Sequence, residues 1–250
     1  MQMSFDSVDL MASPYIVRYI KHDLWPDRNL TRENLAGERG TIVVDTEYGE
    51  KIFEVAGKIT GTSQANLEAN VDTFKELMSR KGKNLDIGYG DSTRRYVAYV
   101  EDLKVDRDFY HLLHAPFSFK FIVPQGIGKN PTQVTDTNNN ITDASYEDTI
   151  TIEGTAEPKP TITITVDSET DLTKLEFTAN GNKIGITAAF NAADVLVIDC
   201  ENKKVTLNGT EVDYDGIFPN FVIGSNAYTV DTTASARQYD LVIQYYKSYL

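Results

Sequence analysis

Few residues in this chain are equipped for chemistry: among 250 there are one cysteine, three histidines and one tryptophan. A lone Cys200 cannot close an internal disulfide, so the fold owes nothing to oxidation and suits a reducing cytoplasm. Its setting, Val195-Leu196-Val197-Ile198-Asp199-Cys200, reads as the end of a buried strand. There a thiol behaves as a small hydrophobe, with no adjacent cation or base to activate it. No apolar run approaches the ~18 residues of a transmembrane helix. The first ten residues carry Asp6 and Asp9 and lack a basic start followed by an apolar run, so no secretory signal is expected. Basic excess is missing too. The net charge is −13, with 24 Lys and Arg against 37 Asp and Glu, which argues against a protein that coats nucleic acid. The deficit is uneven, −4 over residues 1–145 and −9 over 146–250. By itself this acidity keeps a protein soluble.

The motifs that could carry chemistry fail on spacing or composition. Gly57-Lys58-Ile59-Thr60-Gly61 has the look of a phosphate-binding loop's tail, but Ile59 stands where Ser or Thr is required and Ile52 where the leading Gly belongs. His111 and His114 are three apart with no Glu between them, and His22 is remote, so a zinc helix is not expected. No Gly-x-Ser-x-Gly elbow occurs, and residues 115–250 contain no imidazole base. The acidic clusters Asp167-Ser168-Glu169-Thr170-Asp171 and Asp213-Tyr214-Asp215-Gly216 lack the twelve-residue loop and closing Glu of a calcium site and read as turns. Sugar sites favour an aromatic platform. Tyr214, Phe218, Phe221 and Tyr228 are the candidates, in a half with no Trp or His. Neither a cofactor nor a metal is expected, and the chain reads as non-enzymatic.

What is abundant is β pattern. Tyr15–Ile20, Thr41–Val44, Ile52–Val55 and Tyr96–Val100 are rich in β-branched and aromatic residues. One helix interrupts them over 63–81. Ser63 caps it, Leu67, Val71, Phe74 and Met78 form one apolar stripe, Arg80 and Lys81 suit the negative end of the dipole, and Gly82 permits a left-handed stop. Between Lys21 and Gly40 the periodicity lapses, which predicts a functional loop or arm. Its residues Leu24, Trp25, Arg28, Leu30 and Arg32 are the candidate subunit contacts, with Trp25 as anchor, since Trp is enriched at interface hot spots.

Gln125 to Ser145 is Gly, Asn, Asp, Thr and Pro with little to bury, which predicts a linker over 131–147 between domains at 1–130 and 148–250. The second domain is almost purely β. Thr161-Ile162-Thr163-Ile164-Thr165-Val166 alternates strictly, and Asn180-Gly181 and Asn208-Gly209 signal hairpins. Short strands at about ten-residue spacing predict a β-sandwich or jelly roll. The fold class is therefore mainly β, a barrel-like or sandwich-like first domain with one α-helix followed by a sandwich. Two function classes fit: a structural protein working by assembly, or a carbohydrate-binding module attached to a cell-wall-binding or cell-wall-degrading protein.

Two groups of segments carry a resemblance. The first runs through Val55-Ala56-Gly57-Lys58-Ile59-Thr60-Gly61, Thr73-Phe74-Lys75-Glu76-Leu77 and Leu85-Asp86-Ile87-Gly88-Tyr89. The second runs through Asp194–Asp199, Lys204–Gly209, Tyr214–Pro219 and Gly224-Ser225-Asn226. Together they resemble the distal tail proteins of long, flexible-tailed bacteriophages, the siphophage tail-protein family. The resemblance implies a virion tail component made in the host cytoplasm. It implies a hexameric ring, single or double, formed by the N-terminal domain with a galectin-like sandwich outside it. Such a ring joins the tail tube protein to tip or receptor-binding proteins, with DNA only passing through and no membrane contact. Sugar binding does not follow from a lectin-like fold.

Overall fold

The computed structural model describes residues 2–23, 25–26, 28–34, 41–107 and 112–250. It divides into two compact units, Met1–Asn130 (with Leu250) and Pro131–Tyr249, each with its own buried core.

In the first unit the strands in chain order are β1 (Gln2–Phe5), β2 (Val8–Asp9), β3 (Tyr15–His22), β4 (Arg28–Asn34), β5 (Thr41–Tyr48) and β6 (Lys51–Thr60). After helix α1 (Gln64–Ser79) come β7 (Lys83–Tyr89), β8 (Ser92–Val105), β9 (His114–Val123) and the start of β10 (Gly128–Ile141). All described pairings are antiparallel. Strand β8 is long enough to serve two neighbours: its first half pairs with β7 and its second with β9, which pairs with β6, which pairs with β3. Alternation on β9 sends Phe117, Phe119 and Phe121 inward onto the helix and sheet. The helix lays Leu67, Val71, Phe74, Leu77 and Met78 onto that core. Phe74 is the centre of the contact, its ring 5.2 Å from Tyr15 and 4.7 Å from Phe117. The N-terminal end follows the sequence signal, while the helix stops at Ser79 with Arg80 extended, two residues short of the expected end. Ser63 Oγ accepts from Asn66 N at 3.2 Å, and Gly82 follows the last turn with φ +61. Arg80 departs from its expected dipole role. It forks between Asp6 at 2.7 Å and Glu76 at 3.2 Å, tying the helix end to the β1–β2 turn.

The glycine-rich stretch at 57–61 has a steric explanation. Gly57 sits mid-strand where a Cβ would lie 2.3 Å from Ile16 O and 2.7 Å from the Phe117 ring, so only glycine lets β3, β6 and β9 close up there.

The second unit is a sandwich of antiparallel sheets. Its strands are β11 (Ser145–Ile152), β12 (Thr161–Thr170), β13 (Lys174–Ala179), β14 (Asn182–Thr187), β15 (Val195–Asp199) and β16 (Lys204–Leu207). They continue with β17 (Thr210–Glu211), β18 (Asp215–Gly216), β19 (Gly224–Thr233) and β20 (Ala236–Tyr249). One sheet has the order β17-β16-β15-β12-β20-β10 and the other β11-β19-β13-β14-β18. The strict Thr/Ile alternation of β12 places Ile162, Ile164 and Val166 inside, opposite Ile198 and Leu196 on one side and Ile243, Leu241 and Tyr239 on the other. Both Asn-Gly pairs turn hairpins in the left-handed region, Asn180 and Gly181 between β13 and β14, Asn208 and Gly209 between β16 and β17.

Two expectations need correction. Most of the segment read as a linker over 131–147 is strand β10, and β11 follows after only Thr142-Asp143-Ala144. The composition misled because β10 does alternate, but with polar residues. Val134, Asp136 and Asn138 are half-buried, while Thr135, Thr137 and Asn139 are exposed. Side-chain amides and carboxylates support it in place of apolar burial. Asn138 Nδ2 donates to Tyr228 Oη at 2.9 Å, Asn140 N to Asp240 Oδ1 at 2.8 Å, and Gln238 Nε2 to Asn140 Oδ1 at 2.7 Å. The acidic run 167–171 is also less turn than expected. Asp167 to Thr170 continue β12 beyond a bulge, and only Asp171 takes a left-handed turn conformation.

Candidate interaction surfaces

The predicted arm is a β-ribbon. Strands β4 and β5 pair with each other from Arg28↔Tyr48 to Asn34↔Thr41, with a register shift between Thr31 and Arg32, and with no other strand among the described residues. A two-stranded ribbon with no third strand or core of its own is marginal in water. Of the predicted contact residues, Trp25 is 54% exposed and Leu30 38%, and Arg32 is exposed as well. Arg28 opens β4, where only its backbone is described, and Leu24 lies outside the described residues. Tyr48, opposite Arg28, is a further exposed aromatic that the periodicity argument passed over.

The root of the ribbon is fixed firmly. Pro26 is buried, and Gly126 lies so close that a Cβ there would stand 2.4 Å from Gly49 O and 2.8 Å from the Pro26 ring. Lys51, just past β5, is 2% exposed, with its ammonium 6.0 Å from the Phe53 ring centroid and 5.9 Å from that of Tyr96. Burial lowers its pKa, the nearby Arg94 guanidinium lowers it further, and Asp23 opposes both. Arg94 in turn lies 4.9 Å from the Tyr89 ring centroid. The phenol of Tyr89 is pushed well above its ordinary range, first by burial. His22 is engaged here, with Nε2 3.3 Å from Tyr89 Oη and Nδ1 3.1 Å from Asp23 O. Lys51 gave no sequence signal, because its burial depends on β8 crossing from forty residues away.

A second exposed surface is the outer face of β3, β6, β9 and β8. It combines exposed Tyr19, Ile52 and Tyr99 with the ion pairs Lys21–Glu54 at 3.9 Å and Lys120–Asp102 at 2.9 Å. Apolar residues set among paired charges give a surface that can be buried with specificity against a matching one.

No catalytic constellation emerges at these surfaces. Among the described residues no three His, Cys, Asp or Glu side chains come together in a way that could hold a metal ion, and His111 lies outside them. Cys200 is buried in the second core, its thiol pushed up to about 12 by burial and then by Asp199. Two of the candidate sugar platforms are core residues. Phe221 and Tyr228 are buried beside Phe177, with Tyr228 stacked on it at 5.6 Å. Tyr214 is exposed and meets Phe218 edge-on at 5.0 Å.

The segment that carries Tyr214 is held by a buried side chain, Asn226. Its Oδ1 accepts from Val222 N at 2.8 Å and Asn180 Nδ2 at 2.6 Å, while its Nδ2 donates to Val222 O and Gly224 O, both at 2.8 Å. All four hydrogen-bonding positions of this amide are therefore used, three of them by the loop it organises. Asn226→Ala would strand those partners, at about 1–3 kcal/mol for the buried groups left unpaired. Denaturant unfolding of the second unit should show that loss, and Asn226→Asp, which buries a carboxylate oxygen against the Val222 and Gly224 carbonyls, should cost at least as much. An unchanged midpoint for both variants would mean that water replaces the amide.

Residues 153–249 match the family model of the siphovirus-type tail component, C-terminal domain. The match lies wholly within the second unit. The whole chain is similar in fold to the SPP1 Dit protein, described as a paradigm of the hub adsorption apparatus in phages that infect Gram-positive bacteria. The TM-score is 0.71 at 15% identity, over 100% of this chain and 99% of that one. Chains of the phage P2 baseplate in its activated conformation align at TM-scores of 0.45 with Ca and 0.43 with Sr, at 11% and 10% identity. These cover 97% of this chain and 96% of those, a likeness too low to bear on the argument. No curated protein matches the chain by sequence. The family match thus covers most of the second unit, and over the whole chain the likeness is one of fold.

Proposed function

We propose that this protein is a structural hub of a phage tail tip, six copies forming a ring that joins the tail tube to the host-recognition proteins. The first unit builds the ring, and the second offers surfaces to neighbouring tip proteins. The ribbon β4–β5 carries this reading. Among the described residues it pairs with no other strand, yet it exposes Leu30 and Tyr48, with exposed Trp25 just before it, from a buried root. A neighbouring copy is the cover that would make such a ribbon stable. The outer face around Tyr19 and Tyr99 supplies a matching second contact. The protein acts by assembly and not by catalysis. An acidic chain, −13 overall, leaves few cations for DNA phosphate, so DNA traverses the ring without holding to it.

Labelling tests the location. Antibody against the second unit, applied to virions of the phage that encodes this chain, should decorate the tail end distal to the capsid. Decoration along the tube or on the capsid would place the protein in a different structure.

A further inference from the structure

The second unit is short of positive charge, and the way it uses its seven cations is informative. Lys174 and Lys183 flank Glu176 at 2.8 and 3.0 Å, Lys204 pairs with Glu211 at 3.0 Å, and Lys247 pairs with Glu153. Arg237 bonds the Ala234 carbonyl. Only Lys159 and Lys203 have no carboxylate or carbonyl partner among the described residues, and both line the same cleft. That cleft has a volume of about 350 Å³ and takes in Tyr214, Ile217, Phe218 and the buried Cys200. None of the residues lining it is acidic, on a unit where acids outnumber bases by more than two to one.

The cleft continues into exposed apolar surface. Four of the five large hydrophobic side chains that the second unit exposes, Tyr214, Ile217, Val222 and Ile223, fall within ten residues, and Ile217 is 64% exposed. This segment is pre-shaped rather than loose. Gly216 has φ +104, and a Cβ there would lie 2.1 Å from Lys183 O. Ile217 N donates to that same carbonyl at 2.7 Å. Asn226 ties down Val222 and Gly224, and Asn180 Nδ2 donates to Asn220 O at 2.8 Å. A segment ordered in advance loses little conformational freedom on binding.

We infer that this cleft is a docking site for a peptide segment of a neighbouring protein, one that offers an apolar or aromatic side chain beside carboxylates. The apolar side chain enters between Tyr214, Ile217 and Phe218, and the carboxylates meet Lys159 and Lys203. A glycan fits less well. The exposed apolar residues extend beyond the cleft, and the Tyr214 ring is engaged edge-on with Phe218. The inference goes beyond ring formation, and its test does not require a ring.

Fluorescence anisotropy of labelled peptides with the full chain provides that test. The probe acetyl-Gly-Asp-Phe-Leu-Asp-Gly-amide should bind at least about fivefold more tightly than its Asn-for-Asp counterpart, the size expected of exposed charge pairs. It should also bind more tightly than the version with Ser-Gln in place of Phe-Leu. The double variant Lys159→Glu/Lys203→Glu should weaken binding roughly tenfold and remove the preference for Asp over Asn. Ile217→Ser should weaken all apolar peptides alike. These are exposed positions, and unchanged circular dichroism would show that the fold persists. Equal binding of all peptides to all variants overturns the inference. So does dextran sulfate displacing the probe from Ile217→Ser as readily as from the unaltered chain, which would make this a site for anionic polymers. Weakening that tracks a change in the chain's own oligomeric mass would overturn it in favour of a contact between copies.

Discussion

Replacing Phe74 by Ala is expected to cost the first unit about 3–5 kcal/mol, the usual range for a buried phenylalanine that leaves a cavity. Phe74 is fully buried, and its contacts with Tyr15, Phe117 and Phe119 are the main way α1 is held on the sheet. Without the ring the helix keeps Leu67, Val71, Leu77 and Met78 but loses the residue they surround. A loss of that size takes a large part of an ordinary domain's stability and lowers its melting temperature by on the order of 10 °C. We propose that the two units unfold separately, because each has a core cluster of its own. Calorimetry of Phe74→Ala should then show one transition displaced and a second unmoved. A single transition that shifts as a whole would refute separate unfolding, whatever its size.

Trp25→Ala is expected to have its large effect between copies. A Trp at the centre of an interface contributes 2 kcal/mol or more by truncation, a factor of about 30 in affinity at each contact. Six contacts close a ring, so the assembled form should disappear at protein concentrations where the unaltered chain is fully assembled. Within the monomer, a side chain more than half exposed loses little on truncation, about 0.5 kcal/mol or less. The two readouts separate the readings cleanly. Lost assembly with an unchanged monomer melting temperature supports the interface role, while a destabilised monomer assigns Trp25 to packing within its own chain. Leu30→Ala on the exposed strand β4 should act in the same direction with a smaller effect.

The elements that apolar periodicity describes were legible in the sequence. The stripe of α1 and its Ser63 cap, the Thr/Ile alternation of β12 and the two Asn-Gly hairpins all stand where local chemistry places them, while α1 ends at Ser79, short of the expected Gly82 stop. What escaped were elements whose support comes from elsewhere in the chain. Strand β10 reads as a linker because amides and carboxylates of β20 and the Tyr228 hydroxyl, about a hundred residues away, support its polar residues. Strand β4 escaped for a related reason, since Arg28 to Asn34 is polar apart from Leu30 and shows no apolar alternation, and its pairing with β5 makes it a strand. Trp25, Leu30 and Arg32 could be nominated because a lone Trp in a polar stretch is conspicuous. The pairing state of Lys159 and Lys203 could not, because it emerges only once the other lysines of the unit have found their carboxylates.

The ring is the central claim, and the mass of the unaltered protein in solution tests it most directly. Mass photometry or light scattering over a range of concentrations should give a species of six chains of 28.0 kDa, about 168 kDa, or twice that if two rings stack. Images of the same sample should show six-fold rings with an open centre. A protein that stays at 28.0 kDa at every concentration, or that forms closed assemblies of another symmetry, would contradict the account.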